Sequence, residues 1–138
     1  MKQHIIPIRK QASSMRLWHE KLIPELPRQQ LLEQHRECCT LRGRGWGKRY
    51  ATVDYVFEYS PVKLFQYHML VVDEMKQRGY QVNSLWEDPT YRGENCPRYN
   101  EDVWPKEIYT PYPEHDTIYL KKCLKNMAKN GVKLSFDK

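Results

Sequence analysis

A carboxylate and a fixed cation stand side by side at Arg36–Glu37, at the end of a Gln-rich stretch that is predicted to be an amphipathic helix. The segment that leads to this pair starts at an internal Met15–Arg16. A carboxylate beside an arginine is expected to stay ionised near neutral pH, where it can act as a general base or as the partner of a cation. These residues suit amine and carboxylate chemistry on a substrate that carries phosphate. The alternative is a pair of surface charges at a helix end.

A basic, Gly-rich stretch follows at residues 42–49, and its candidate contacts are Arg42, Arg44, Trp46, Lys48 and Arg49. Its three glycines let backbone amides approach a phosphate closely, and its cations neutralise phosphate charge. The tryptophan can stack on a base. A solvated loop with one anchoring tryptophan is the alternative interpretation.

A second group of cations lies on the last predicted helix, at Lys121, Lys122 and Lys125. A basic helix face is commonly only solvated, but this one is expected to face the same partner as the basic stretch. The chain has 23 Lys and Arg residues against 17 Asp and Glu residues, a formal net charge of +6. This excess is compatible with a polyanion as partner and does not require one.

Four cysteines, Cys38, Cys39, Cys96 and Cys123, form no CxxC pair and predict reduced thiols without a disulfide or a metal site. A metal site built from His35, Cys38 and Cys39 is an alternative, disfavoured because neighbouring cysteines rarely reach one ion together. No apolar run approaches the ~20 residues that span a bilayer, and the N-terminus is no signal peptide. A cytoplasmic protein is therefore expected.

The sequence predicts an all-α, compact single domain of three principal helices with long irregular connections. The helices are expected at 27–42, 60–79 and roughly 114–130, since proline, serine and glycine stand at their predicted ends. Residues 86–113 contain five of the nine prolines and predict an irregular wrap packed by aromatic side chains. Residues 1–14 predict a flexible N-terminal extension that is not necessarily native.

The buried side of each helix follows from apolar residues at three- and four-residue spacing. The expected buried residues are Leu31, Leu32, His35, Cys38 and Cys39 in the first helix, Val62, Phe65, Met69, Val72 and Met75 in the second, and Ile118, Leu124, Met127 and Ala128 in the third. The polar face of the first helix is expected to carry Gln30, Glu33, Gln34 and Glu37. Residues 50–59 predict a short strand or a further helical or extended segment.

The chain from Glu25 to Glu37 follows the pattern Glu-Leu-x-x-Gln-x-Leu-x-x-x-x-Arg-Glu. This pattern resembles the first helix of the phage endonuclease V family of pyrimidine-dimer DNA glycosylase/AP lyases. Residues 53–80 resemble the second helix of that family, residues 91–93 its Phe-Arg-Gly turn, and residues 113–124 the start and body of its third helix. The resemblance covers about residues 15–134.

The resemblance implies a compact three-helix domain that needs no metal or cofactor. Its partner would be double-stranded DNA with damaged pyrimidines or abasic sites, and a monomer is expected. In that family the α-amine of the processed N-terminus attacks the anomeric carbon, expels the base and forms a Schiff base, and β-elimination then nicks the strand. Met15 would supply this amine, and Glu37 would stabilise the cationic sugar and shuttle protons. Arg16 and Arg36 would hold phosphates around a flipped-out nucleotide.

The chain departs from the family at several positions of the first helix, one of which is Cys38–Cys39 in place of a Leu-Pro. The family's histidine falls at Gln30, and the arginine three residues after its glutamate becomes Thr40, with Arg42 nearby as a substitute. DNA contacts are accordingly assigned to Gln30 and Arg42. The family's aromatic C-terminal tail is reduced to residues 134–136, which leaves open which lesion is read.

The N-terminus is the largest departure, because residues 1–14 would make the Met15 nitrogen an ordinary amide, which is not nucleophilic. We favour a start of translation at Met15, while removal of the extension and loss of the lyase step stay open. The alternative function is a non-catalytic nucleic-acid-binding domain of the same fold. A structural or protein-interaction domain, suggested by the Tyr- and Pro-rich segment 86–113, is a third possibility.

Overall fold

A computed structural model describes residues 16–43, 53–99, 110–129 and 131–132. The α-helices within these ranges are α1 (Arg28–Arg42), α2 (Pro61–Gln77) and α3 (Thr117–Lys129), and 3₁₀ helices are formed by Glu20–Glu25, Asp54–Glu58 and Ser84–Glu87. The described residues include no strand, so the all-α prediction is confirmed, and Asp54–Glu58 within the segment 50–59 is helical. None of the helices described here is long and apolar enough to cross a membrane.

Helix α1 begins after Pro27 and ends before Gly43, as predicted. The Gly43 N–H donates to the carbonyl oxygens of Cys39 and Thr40 at 3.1 and 3.2 Å. A Cβ atom on Gly43 would lie 2.6 Å from the Arg92 carbonyl oxygen, so only glycine lets the two backbones approach here. This close approach holds the irregular segment after α2 against the end of α1.

The buried side of α1 differs from the prediction at one polar residue and at three predicted core residues. Leu31 and Cys38 lie in the core as expected, together with Leu41. Gln34 was expected on the polar face and is fully buried, so that expectation is wrong. Three predicted core residues are only half-buried at the edge of the core: Leu32, His35 and Cys39.

Helix α2 starts and ends where local chemistry predicts. The Ser60 hydroxyl oxygen accepts a hydrogen bond from the Val62 N–H at 3.0 Å, and Pro61 takes the first helical position. The helix closes at Arg78, and Gly79 follows in the left-handed region with φ of 87°.

The buried side of α2 is rotated from the predicted one. Val62, Val72 and Met75 are buried as expected, but Phe65 and Met69 are only half-buried. Their places in the core are taken by other residues of the helix, namely Leu64, Tyr67, His68 and Val71. The rotation is possible because the polar atoms of Tyr67 and His68 find hydrogen-bond partners inside the protein.

Helix α3 begins later than predicted, because the Asp116 carboxylate accepts the Tyr119 N–H at 2.8 Å. Its core face consists of Leu120, Cys123 and Met127. Of the predicted apolar positions Met127 is buried and Leu124 half-buried, whereas the other two are exposed, which corrects the prediction for Ile118 and Ala128.

The N-terminal segment and the irregular segments complete the core. Leu17, Leu22, Ile23 and Leu26 are all buried, and their 3₁₀ helix packs on α2, which also packs against α1. The described part of the irregular wrap is packed by aromatic rings, as predicted, with the Trp86 and Tyr91 ring centroids 4.7 Å apart. The fold thereby brings residues 16–19, α1 and α3 to one place.

Candidate active site

A pocket opens where the N-terminal segment meets α1 and α3. The segment contributes Arg16 and Trp18, and the remaining lining residues are Gln30, Glu33 and Glu37 of α1 with Asn126 and Met127 of α3. The three α1 residues are spaced by three and four positions, which places them on one face of the helix. The pocket therefore combines two carboxyl groups, two side-chain amides and one guanidinium, that of Arg16, which directly follows residue 15 in the sequence.

Glu37 is half-buried on the wall of this pocket. Its Oε1 accepts a hydrogen bond from Gln34 Nε2 at 2.9 Å, and the carboxyl accepts another from the Arg16 backbone. Burial, followed by repulsion from Glu33, raises the pKa of Glu37 from an ordinary 4.5 to about 8. The cations of Arg16 and Arg36 oppose this rise without cancelling it. The expectation that an adjacent arginine keeps Glu37 ionised near neutral pH is thus wrong.

Arg16 extends from the N-terminal segment over an aromatic side chain. Its guanidinium carbon lies 5.1 Å from the centroid of the Trp18 ring, a cation–π contact, and Trp18 is itself buried. Arg16 is half-buried and lines the pocket together with Glu37. The structure therefore brings two of the predicted site residues to one pocket, and Gln30 is the third.

The backbone of the N-terminal segment is held by side chains from all three helices. Gln34 of α1 donates to the Arg16 carbonyl oxygen at 2.8 Å. Tyr119 of α3 donates to the Leu17 carbonyl oxygen at 2.6 Å, and Tyr67 of α2 donates to that of Trp18. Three consecutive carbonyls thus have fixed partners, which determines the course of the backbone through residues 16–18.

Four other predicted DNA contacts lie on the exposed surface of α1 and α3, outside the lining of the pocket. Arg36 is exposed on α1 and does not line the pocket. Lys121, Lys122 and Lys125 are exposed on α3. Of these, Lys122 lies one turn before Asn126 on the same side of the helix, since residues four apart are neighbours. The α3 cations are therefore carried by the helix that forms one wall of the pocket.

Arg42 lies inside the protein, which corrects its assignment as a DNA contact. Its side chain is 2% exposed, and its guanidinium donates to the carbonyl oxygens of Trp86, Asp88 and Tyr91, each at 2.9 Å. It also donates to His68 Nδ1 at 2.9 Å. Burial lowers the pKa of Arg42 to about 10, so it is still a cation near neutral pH. With its donors used in this way, Arg42 fastens the irregular segment to α1 and has no access to a phosphate.

A cluster of metal-binding side chain types is formed by His35, Cys39 and His68, whose ligand atoms lie within 4.8 Å of one another. Cys38, part of the trio considered from the sequence, is absent from this cluster and lies in the core. Burial raises the pKa of the Cys39 thiol to about 12, so a thiolate is disfavoured.

The surroundings of the cluster favour a hydrogen-bond chain over a metal site. Because Arg42 donates to His68 Nδ1, the ring proton of neutral His68 sits on Nε2 and points to His35 Nδ1, 2.9 Å away. A metal at His68 Nε2 would have to displace that proton beside a fixed cation. Metal-bound histidines normally donate their second ring N–H to an acceptor, which is the reverse of this arrangement.

Several predicted site residues lie outside the described residues: Met15, Arg44, Trp46, Lys48 and Arg49. Sequence reasoning, in turn, missed Trp18, Glu33 and Asn126 as pocket residues. Glu33 was detectable, because it stands four residues before Glu37 on the same helix face. Asn126 was not, because only the packing of α3 against the N-terminal segment brings it to the pocket.

Comparison with known families adds an independent line of evidence. A family model described as pyrimidine dimer DNA glycosylase matches residues 15–88, more than half of the chain. The match starts at Met15 and includes the N-terminal segment, α1 and α2. No curated protein and no solved structure matches the chain. The pocket with its half-buried glutamate lies mainly within the matched part, and the chain belongs to the pyrimidine dimer DNA glycosylase family.

Proposed function

We propose that this protein is a DNA glycosylase with AP lyase activity that excises cyclobutane pyrimidine dimers, with the α-amine of Met15 as nucleophile and Glu37 as proton shuttle. One observation carries the proposal most strongly. The Glu37 carboxyl is half-buried, bonded to the backbone of the residue that follows Met15, and shifted in pKa to about 8. Carboxyls with strongly raised pKa values in a pocket are typical of catalytic acids and bases.

The raised pKa suits a reaction that starts from a neutral amine. An α-amine has an ordinary pKa of about 8, against about 10.4 for lysine. A carboxyl and an amine of nearly equal pKa can share one proton, so the pair of neutral amine and protonated carboxyl is accessible near neutral pH. In this pair the amine is a nucleophile and Glu37 is an acid.

The chemical steps balance without a cofactor. The amine nitrogen bonds to C1′ of the damaged nucleotide, the glycosidic bond breaks, and the base leaves with the electron pair. Loss of one nitrogen proton and opening of the sugar ring, whose oxygen takes a proton from Glu37, give the protonated imine. Removal of a C2′ proton then expels the 3′ phosphate and cleaves the strand. In this scheme Glu37 gives a proton in one step and accepts one in the next.

DNA binding is assigned to the cations and amides around this pocket. Arg16 and Gln30 line the pocket, and Arg36 is exposed on the same helix as Glu37. The remaining proposed phosphate and base contacts are Arg44, Trp46, Lys48, Arg49, Lys121, Lys122 and Lys125. Phosphate contacts of this kind fix the protein on the duplex without reading its sequence.

The proposal requires a free amine at Met15, so the active form is proposed to start there, either by translation or by removal of residues 1–14. The family match that begins at residue 15 supports this start. We further propose a monomer that acts in the cytoplasm. Four free cysteines are consistent with a reducing compartment.

Borohydride trapping tests the proposal. A duplex with one abasic site, and a second duplex with one cyclobutane dimer, are incubated with the chain that starts at Met15 and reduced in place. We expect a covalent complex, lost in Glu37→Gln and retained in Glu94→Gln, an exposed glutamate changed in the same way. The chain that retains residues 1–14 is expected to give none.

The outcomes separate the two candidate functions. Absence of trapping by the chain that starts at Met15 would contradict the glycosylase and lyase proposal. If that chain still bound DNA in a salt-sensitive way, and Glu37→Gln left the binding intact, the non-catalytic nucleic-acid-binding domain would be the better account.

A further inference from the structure

Gln34 is a fully buried amide in the middle of α1, between the core residues Leu31 and Cys38. Its Nε2 donates to the Arg16 carbonyl oxygen at 2.8 Å and to Glu37 Oε1 at 2.9 Å. Its Oε1 accepts from the Trp18 N–H at 2.7 Å and lies 2.9 Å from the Tyr67 hydroxyl oxygen, whose single hydrogen is shared between this oxygen and the Trp18 carbonyl oxygen. A side-chain amide has two donor hydrogens and two acceptor lone pairs, so Gln34 uses its whole hydrogen-bonding capacity.

The direction of this amide is fixed by its partners. The nitrogen faces two oxygen atoms, and the oxygen faces one N–H and one O–H group. A reversed amide would set its oxygen against the Arg16 carbonyl and its NH₂ group against the Trp18 N–H. Buried polar groups without partners cost roughly 1–3 kcal/mol each, so the observed orientation is strongly preferred.

Gln34 differs from the other side chains that hold the N-terminal segment. Tyr67 binds the Trp18 carbonyl and Tyr119 binds the Leu17 carbonyl, but neither is bonded to Glu37. Gln34 alone among these three joins the backbone of Arg16 to the carboxyl of Glu37 through the same nitrogen atom. The separation between that backbone and the carboxyl is therefore set jointly by this NH₂ group and by the direct hydrogen bond from the Arg16 backbone to the carboxyl.

We propose that Gln34 is a positioning residue of the reaction, which holds the backbone next to residue 15 at a fixed separation from the Glu37 carboxyl. This inference rests on the proposed function, because it takes the amine of Met15 and the carboxyl of Glu37 as the reacting groups. Gln34 does not touch the substrate in this role. It acts through the geometry of the two groups that do.

The expected effect follows from the sensitivity of reaction rates to placement. A displacement of about 1 Å between reacting groups can lower a rate by about 100-fold. Loss of Gln34 would free the Arg16 carbonyl and remove one donor from Glu37 at the same time. A donor to the carboxylate favours the ionised form, so its loss raises the pKa of Glu37 further.

Two variants and one control test the proposal in the chain that starts at Met15, which retains every core residue among those that the structure describes. Gln34→Met keeps the length of the side chain without its hydrogen bonds, and Gln34→Glu keeps the acceptors without the NH₂ group. Gln77→Met makes the same chemical change at an exposed position of α2. Single-turnover incision of abasic-site DNA is measured against pH, with the Kd for the same DNA measured separately.

We expect the Gln34→Met rate to fall by about 10- to 100-fold with Kd changed by less than about twofold, and its pH profile to move to higher pH. Gln34→Glu is expected to be impaired as well, because the missing group is the donor. Gln77→Met should match the unaltered chain. An unchanged rate in Gln34→Met, or a change in Kd alone, would overturn the proposal.

A second measurement keeps the inference separate from the proposed function. The Glu37 carboxyl is titrated by ¹³C NMR in the full chain, with and without Gln34→Met, and the backbone signals of residues 16–18 are compared. A higher Glu37 pKa with displaced signals supports the positioning role, even if the unaltered chain forms no adduct and the proposed function fails. Unchanged titration and unchanged signals in a folded variant would overturn it.

Discussion

Replacement of Glu37 by glutamine should stabilise the protein progressively as the pH rises. The native carboxyl has a pKa of about 8, whereas the unfolded chain releases the same proton near 4.5. Between these values the native state binds one more proton than the unfolded state, so the free energy of unfolding falls as the pH rises. Each pH unit corresponds to about 1.4 kcal/mol, and the whole interval to about 5 kcal/mol at 25 °C. The contribution of this carboxyl to the free energy of unfolding is fully present below pH 4.5 and is lost as the pH rises through about 8.

Glutamine cannot lose a proton, so Glu37→Gln escapes this penalty and still offers an acceptor to Gln34 Nε2. Urea unfolding of both proteins at 25 °C, from about pH 4 to about pH 9, measures the difference. We expect it to grow in favour of Glu37→Gln by about 5 kcal/mol. The exposed Glu94→Gln should stay within about 0.5 kcal/mol of the unaltered chain at every pH. Parallel stability curves for the unaltered chain and Glu37→Gln would refute the burial argument.

Further predictions concern the scaffold and the basic surface. Arg42→Met should lower the free energy of unfolding by more than about 3 kcal/mol, because several buried acceptors lose their donor, and Arg42→Lys should not restore the lost stability. Urea unfolding measures the change, and a loss below about 1 kcal/mol would contradict the structural role of Arg42. Ser60→Ala should cost about 1 kcal/mol through loss of the cap of α2, seen as a lower thermal midpoint, and an unchanged midpoint would speak against the cap. Combined replacement of Lys121, Lys122 and Lys125 by alanine should weaken DNA binding regardless of sequence and reduce the salt slope by about 0.9 for each lost phosphate contact; an unchanged slope would place DNA elsewhere.

Features that depend on neighbouring residues in the chain were predictable from the sequence. The ends of α1 and α2 follow from Gly43, Ser60–Pro61 and Gly79, because caps and turns are decided within a few residues. The resemblance predicted Gln30 and Glu37 as site residues, and both line the pocket. They lie with Glu33 on one face of α1 because of their spacing in the sequence alone.

Features that depend on tertiary packing were not predictable in this way. The charge state expected for Glu37 was wrong, because burial raises its pKa and outweighs the neighbouring cations. The pocket in which Glu37 lies is closed by the N-terminal segment and α3, which are distant from it in sequence. Arg42 was predicted to contact DNA because it stands in the basic, Gly-rich stretch and near Thr40, where the family has an arginine. Its donors instead serve carbonyl oxygens almost fifty residues away. Gln34 was placed on the polar face, although its spacing from Leu31 and Cys38 matches the core side.

The central claim is that the α-amine of residue 15 becomes bonded to the sugar, and the most direct test is to locate the adduct. The chain that starts at Met15 is trapped with borohydride on abasic-site DNA, digested with protease and nuclease, and analysed by tandem mass spectrometry. The reduced sugar remnant is expected on the α-nitrogen of Met15 and absent in Glu37→Gln. A remnant on a lysine side chain, such as Lys122, or trapping that persists in Glu37→Gln would contradict the proposed active site.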